Sequence, residues 1–85
     1  APVLYRSLRR AQELFDRGEH DSAKLVAAGK QEFAKEPSAR LDYFEIVDPE
    51  TLESVSAISK RALIAVAAYV GNTRLIDNIV VNPER

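Results

Sequence analysis

Residues 62–81 read ALIAVAAYVGNTRLIDNIVV, two apolar runs separated by Gly71-Asn72. A Gly-Asn pair between such runs is a hairpin signal, because glycine takes the positive φ that a two-residue turn demands. The alanines at 65, 67 and 68 would also suit a helix, but the turn and the β-branched second run decide for strands. Counting back across the turn pairs Tyr69 with Arg74, Val66 with Asp77 and Ala65 with Asn78. Both faces of this hairpin are largely apolar, so both are expected to be covered, one of them by a second domain. Asp77 and Asn78 are successive polar residues and point to opposite faces of an apolar strand. Among hydrophobic neighbours each needs a hydrogen-bond partner, since a buried unsatisfied group costs about 1–3 kcal/mol. The favoured reading is structural, with Asp77 accepting backbone or arginine donors and Asn78 fixing a bulge or an edge. The alternative is a polar contact offered to a ligand or to a second domain.

Working outward, Arg40 to Val47 alternates in part, with Leu41, Tyr43 and Val47 on one side and Phe44 and Ile46 on the other. Its aromatic and β-branched content predicts a strand. Asp48-Pro49-Glu50 stops it, and Asp48 is placed to cap one helical turn through Leu52. Residues 53–60 are serine-rich and read as a connecting loop with Val55 and Ile58 as isolated apolar anchors.

Two helices precede the strands. Leu4, Leu8, Ala11 and Phe15 recur at helical spacing over residues 2–17, with Pro2 suited to a first turn and Gly18 to a left-handed terminus. A second helix is predicted from Ser22 to Lys35, capped by Asp21 and followed by Pro37, with Leu25, Val26, Gly29 and Phe33 as its buried stripe. Glycine in mid-helix costs about 1 kcal/mol against alanine, so Gly29 implies close approach of a neighbouring backbone. The expected fold is α+β, a helical hairpin packed on a three-stranded antiparallel β-sheet, as a single domain over residues 1–85.

Bulk composition narrows the functional classes. A hydrophobic fraction of 46% and a charged fraction of 29% are those of a globular domain, although so short a chain builds a modest core. A net charge of -1 supplies no basic field for nucleic acid or anionic lipid. The chain has no cysteine, which removes disulfides and thiolate chemistry without fixing the redox compartment. The longest apolar run, Ala62 to Val70, is half the roughly 18 residues of a membrane span, and no signal-peptide pattern opens the chain. Methionine is absent, initiator included, which either removal before Ala1 or a fragment of a longer chain would explain, and a fragment is the favoured reading.

Candidate chemistry is sparse. His20 is the single histidine and sits in the polar loop between the helices, where a solvated role is favoured over catalysis. Glu19, His20 and Asp21 are adjacent, but neighbours in a loop rarely converge on one metal ion. The glycines at 18, 29 and 71 stand alone, and none opens a helix after a strand as a phosphate loop requires. Arg6, Arg9, Arg10 and Arg17 concentrate positive charge on the first helix. A solvated face, or one that meets an acidic partner domain, is favoured there over nucleic-acid binding. No catalytic, cofactor-binding or metal-ligating residue is assigned.

Three segments carry a resemblance. Leu41 to Leu52 resembles the "LDYxEivDpxtL" stretch of the pantothenate synthetase family, the pantoate–β-alanine ligases; Ala62 to Tyr69 is similar to its "aLiavAay" strand; Thr73 to Asn78 reads "TRLIDN", like its closing motif. The resemblance covers essentially the whole chain. It implies the C-terminal lid domain of an ATP-dependent ligase that condenses pantoate and β-alanine through a pantoyl-adenylate, in coenzyme A biosynthesis. The family's histidine motif of the HIGH type and its serine-arginine motif related to KMSKS belong to an N-terminal Rossmann-like nucleotidyltransferase domain. Neither motif is in this sequence, and Ala1 is expected to begin just after the second. The resemblance therefore implies a chain inactive alone and a hinged cover that keeps water from the adenylate. It also implies the N-terminal domain as partner, ATP and magnesium in the full enzyme, a homodimer, and a cytoplasmic setting without nucleic acid or membrane. The alternatives are a free-standing interaction or dimerisation module joined through an exposed sheet face or edge, and a small nucleic-acid binder using the first helix.

Overall fold

Helix α1 (Pro2–Asp16) is amphipathic, and its apolar residues Val3, Leu4, Leu8, Ala11 and Phe15 are all buried. The computed structural model describes residues 2–83. Gly18, at φ 105, ends α1, and the N–H groups of Gly18 and Glu19 return to the carbonyls of Phe15 and Leu14. This double closure satisfies two carbonyls that a helix end would leave free. Helix α2 (Ser22–Ala34) starts where the Asp21 carboxylate accepts the Ala23 N–H at 3.0 Å. Both helices agree with the expected ranges to within a residue.

The sheet follows as β1 (Ala39–Val47), β2 (Ala62–Val70) and β3 (Thr73–Val81), antiparallel in the order β1-β2-β3. Tyr69 faces Arg74, Val66 faces Asp77 and Ala65 faces Asn78, the register counted from the turn. Gly71 holds the positive φ of 64 that the two-residue turn needs. The expected α+β class is the observed one: a helical hairpin on one face of a three-stranded antiparallel sheet. Phe44 and Ile46 of β1, Ala62, Ile64, Val66 and Ala68 of β2, and Val81 of β3 meet Leu4, Leu8, Ala11, Leu25 and Phe33 there.

Three local readings change. The alternation in β1 breaks between Leu41 and Tyr43, where Asp42 is an extra residue without a partner. A bulge reverses the facing of everything before it. Leu41 therefore pairs with Ala68 and packs on the helix side with Phe44 and Ile46, instead of sharing a side with Tyr43 and Val47. Gly29 is approached by a side chain instead of a backbone, because a Cβ there would fall on the ring of Phe44. Asp77 and Asn78 are both exposed, since β3 is an edge strand and the helices leave that edge open.

The connection between β1 and β2 is tightly tied. The Asp48 carbonyl accepts the Leu52 N–H at 2.7 Å, and its carboxylate accepts the N–H groups of Glu50 and Thr51, the expected single helical turn. Val55 N–H donates to the Ile46 carbonyl, Ile58 N–H to that of His20, and Ser22 N–H to that of Ser56. Ile58 is buried and Val55 packs against the core, as anchors should.

Candidate functional site

The residues with chemical potential do not converge. His20 is half-buried and stacked on Phe15, with ring centroids 4.8 Å apart, so it is a packed loop residue and less solvated than expected. Glu19 accepts the Asp21 N–H, and Asp21 is occupied as the cap of α2. Among the described residues no group of three or more His, Cys, Asp or Glu side chains lies close enough to hold a metal ion. No glycine offers a phosphate cradle either: Gly18 and Gly71 sit in separate turns, and Gly29 lies under Phe44.

The arginines of α1 are largely paired. Arg6 reaches Glu32 at 3.4 Å and Glu36 at 3.7 Å on α2, while Arg9 and Arg10 both reach Glu13. Glu32 is held below the usual carboxylate range, first by its hydrogen bond from Lys35, against the opposing effect of burial, with the Lys35 charge and then Arg6 adding to the lowering. A face whose cations meet carboxylates of its own chain presents little net charge to a polyanion. A hollow of about 140 Å³ between α1 and β3 is lined by Tyr5, Leu8, Arg9, Gln12, Asp77 and Ile79. Asp77 spends one carboxylate oxygen on the N–H of Asn78 at 2.8 Å, a structural use on the sheet edge.

What remains is the face of the sheet opposite the helices. Reading across the strands, it carries four rungs. Val47, Leu63 and Val80 form an apolar one, and Glu45, Ala65 and Asn78 a small-centred one with polar ends. Tyr43, Ala67 and Ile76 follow, and then Arg40, Tyr69 and Arg74. Ile76 is 57% exposed and Val80 46%, whereas Ala67 between Tyr43 and Ile76 is fully buried. No helix packs on this face among the described residues, since the core draws its strand residues from the other side. One expected cover is thus present, and among the described residues no second layer lies over the other face, although Val47 at its end is buried.

The last rung is organised. Arg74 donates from Nε and Nη2 to one carboxylate oxygen of Asp42, at 3.2 and 3.0 Å, spanning β2 from β3 to β1. That contact raises the Arg74 pKa further. The Arg74 guanidinium lies 6.0 Å from the Tyr43 ring centre, and that of Arg40 lies 4.8 Å from Tyr69. The bulge at Asp42 supplies this geometry by turning its carboxylate toward β3. Sequence reasoning missed it. The arginine and aspartate are 32 residues apart, and only the bulge brings them together.

Leu52 is a further outlier. It has φ 63 and a side chain 67% exposed, so a bulky residue takes a left-handed conformation at the surface. It lies in the turn that leaves the Val47 rung.

Comparison with known proteins places this architecture. The chain is 58% identical over 80 residues to the pantothenate synthetase of Koribacter versatilis, covering 94% of this chain and 28% of that protein. It is 43% identical over 84 residues to the bifunctional pantoate ligase/cytidylate kinase of a Synechococcus strain, covering 99% of this chain and 16% of that protein. The crystal structure of pantothenate synthetase from Thermus thermophilus superposes with a TM-score of 0.85 at 39% identity, over 93% of this chain and 28% of that one. The chain therefore spans less than a third of the length of these relatives. A family profile described as pantoate-beta-alanine ligase matches residues 1–80, and the chain belongs to that family.

Proposed function

We propose that this chain is the C-terminal closing domain of an ATP-dependent ligase that joins pantoate to β-alanine through a pantoyl-adenylate, and that it supplies no reacting group. One observation carries the reading: nearly the whole chain aligns with pantothenate synthetases, yet it accounts for only 28% of the length of one. Its partner is an N-terminal nucleotidyltransferase domain of the same polypeptide, which brings ATP, magnesium and both organic substrates into the reaction. The full enzyme is a cytoplasmic homodimer serving coenzyme A biosynthesis. No helix among the described residues is long and apolar enough to cross a membrane, which accords with that setting.

The chemistry explains why a separate cover is needed. An acyl-adenylate is a mixed anhydride, and water competes with the amine of β-alanine for its carbonyl carbon. Closing a domain over the site excludes that water and commits the intermediate to the amine. A rigid three-stranded sheet backed by two helices suits such a part, because it moves as one body.

The test is direct. Purified chain, mixed with pantoate, β-alanine, ATP and magnesium, should release no AMP above the background of a heat-treated sample. Sustained AMP release proportional to chain concentration would overturn the reading. A second reading, a free-standing dimerisation module, is favoured by the exposure of Ile76 and Val80 on the uncovered face. Light scattering separates the two, since that reading requires a dimer at all working concentrations.

A further inference from the structure

We propose that the free edge of β3 is a strand-pairing surface for a second copy of this chain, and that Asp77 is the residue that keeps it closed. This property belongs to the sheet edge alone and holds whatever reaction the chain serves.

The two outer strands are not equally protected. The edge of β1 is partly covered by the segment that follows it, where the Val55 N–H donates to the Ile46 carbonyl and Val47 bridges Ser54. No segment among the described residues pairs with β3 on its outer side. In an antiparallel pair, alternate residues turn their N–H and C=O groups away from the partner. The Asn78 N–H lies outside the β2 ladder, because it donates to the Asp77 carboxylate at 2.8 Å. Alternation then puts Arg74, Ile76, Asn78 and Val80 in the outward set. A largely exposed, apolar edge of nine residues is a ready template for another strand.

Self-pairing has one register that uses all of these outward residues. It sets Arg74 opposite Val80 and Ile76 opposite Asn78 of the second copy, antiparallel about a twofold axis. Leu75 then lies across from Ile79, and the sheet becomes continuous with all helices on one face. The same symmetry puts Asp77 opposite itself, because it is the middle residue of that register. Directly opposed side chains have Cβ atoms about 4.5–5.5 Å apart, and like charges so placed destabilise the pair. Asp77 acts a second time through its hydrogen bond, since the Asn78 N–H it holds is a donor that an incoming strand needs. Slipping the register by a pair of residues separates the carboxylates, but it forfeits an outward residue on each copy and still meets the occupied donor. Asp77 also lines the hollow beside Tyr5, Leu8 and Ile79, so the charge stands on the core-facing side of the strand. A charge there is a known guard of open edges.

Sedimentation equilibrium of the 85-residue chain tests this. Asp77→Asn removes the charge and keeps an acceptor for the Asn78 N–H, whereas Asp77→Val removes both. Glu50→Gln removes an equal charge from an exposed position away from the edge. Far-UV circular dichroism at the parent value admits each variant, and Asp77→Thr replaces Asp77→Val should that one fail it. The association constant should rise about tenfold in Asp77→Asn, further in Asp77→Val, and stay at the parent value in Glu50→Gln. Amide exchange identifies the surface: on association the N–H groups of Arg74, Ile76 and Val80 should exchange about tenfold more slowly than in the parent. Parent-like mass in Asp77→Val or its replacement, an equal rise in Glu50→Gln, or association that leaves those amides unprotected overturns the proposal. A parent already paired along β3, with the same amides slowed, overturns the role of Asp77.

Discussion

Ile64 and Ile76 occupy the same sheet three rungs apart, and they differ in what lies over them. Ile64 is fully buried beneath the helices, whereas Ile76, on the opposite face, is 57% exposed. The side chain is the same in both places, although Ile64 has Leu63 and Ala65 beside it and Ile76 has Leu75 and Asp77. The difference shows that hydrophobicity in a strand reports that a cover is needed without saying whether the same chain provides it. One face of this sheet is consumed in folding. The other carries no helix among the described residues.

That contrast is breakable by paired substitutions. Ile64→Ala should cost about 2–5 kcal/mol of unfolding free energy, through lost transfer energy and the cavity left behind. Ile76→Ala should stay within about 0.5 kcal/mol, because the side chain already meets water. Urea denaturation of the isolated chain measures both. Comparable losses would mean that the open face is covered in solution, and the two faces would no longer be distinct.

The covered face can be tested more finely at Gly29. Its missing Cβ makes room for the Phe44 ring, which is 5% exposed and has little freedom to retreat. Gly29→Val should destabilise by about 1–3 kcal/mol by overpacking, even though valine is the better helix former. The decisive measurement is the double variant with Phe44→Ala, whose total cost should fall below the sum of the singles. Strict additivity would show that Gly29 is kept for some reason other than this ring.

The same residues show what was legible in the sequence. The β2–β3 register follows from Gly71-Asn72 because a two-residue turn leaves one way to count. The helices follow from spacing and caps, which act within a few residues of chain. Leu41 was misplaced because a bulge has no local sequence mark, and one extra residue reverses the facing. Asp77 was expected among hydrophobic neighbours because the sequence does not show how much of an edge strand the helices cover. No side chain was assigned to a site, and the contact between Arg74 and Asp42 stayed hidden because it needs the bulge and the strand order together. Gly29 announced a close approach, but a glycine identifies the space and not the atom that fills it.

The smallest effect, and the most local, belongs to Asp48, where the two faces meet. Its carboxylate accepts the N–H groups of Glu50 at 2.7 Å and Thr51 at 3.2 Å, and pairs with Lys60 at 3.2 Å. These contacts hold it below the ordinary carboxylate range, the backbone bonds first. A depressed pKa contributes stability that is present above the ordinary value and is lost as pH falls through the depressed one. Asp48→Asn should therefore be less stable than the parent near neutral pH, and the gap should close in acid once the parent's carboxylate is protonated. Glu32 titrates in the same sense and is common to both proteins, so it cancels from the difference. Amide exchange near neutral pH then locates the loss. It should fall on residues 48–53, which bear Leu52 and adjoin the Val47 rung of the open face, and leave Ile64 and Val66 of β2 protected. If β2 opened in step with the turn, turn and core would form one cooperative unit, and the open face could not adjust to a partner without loosening the covered one.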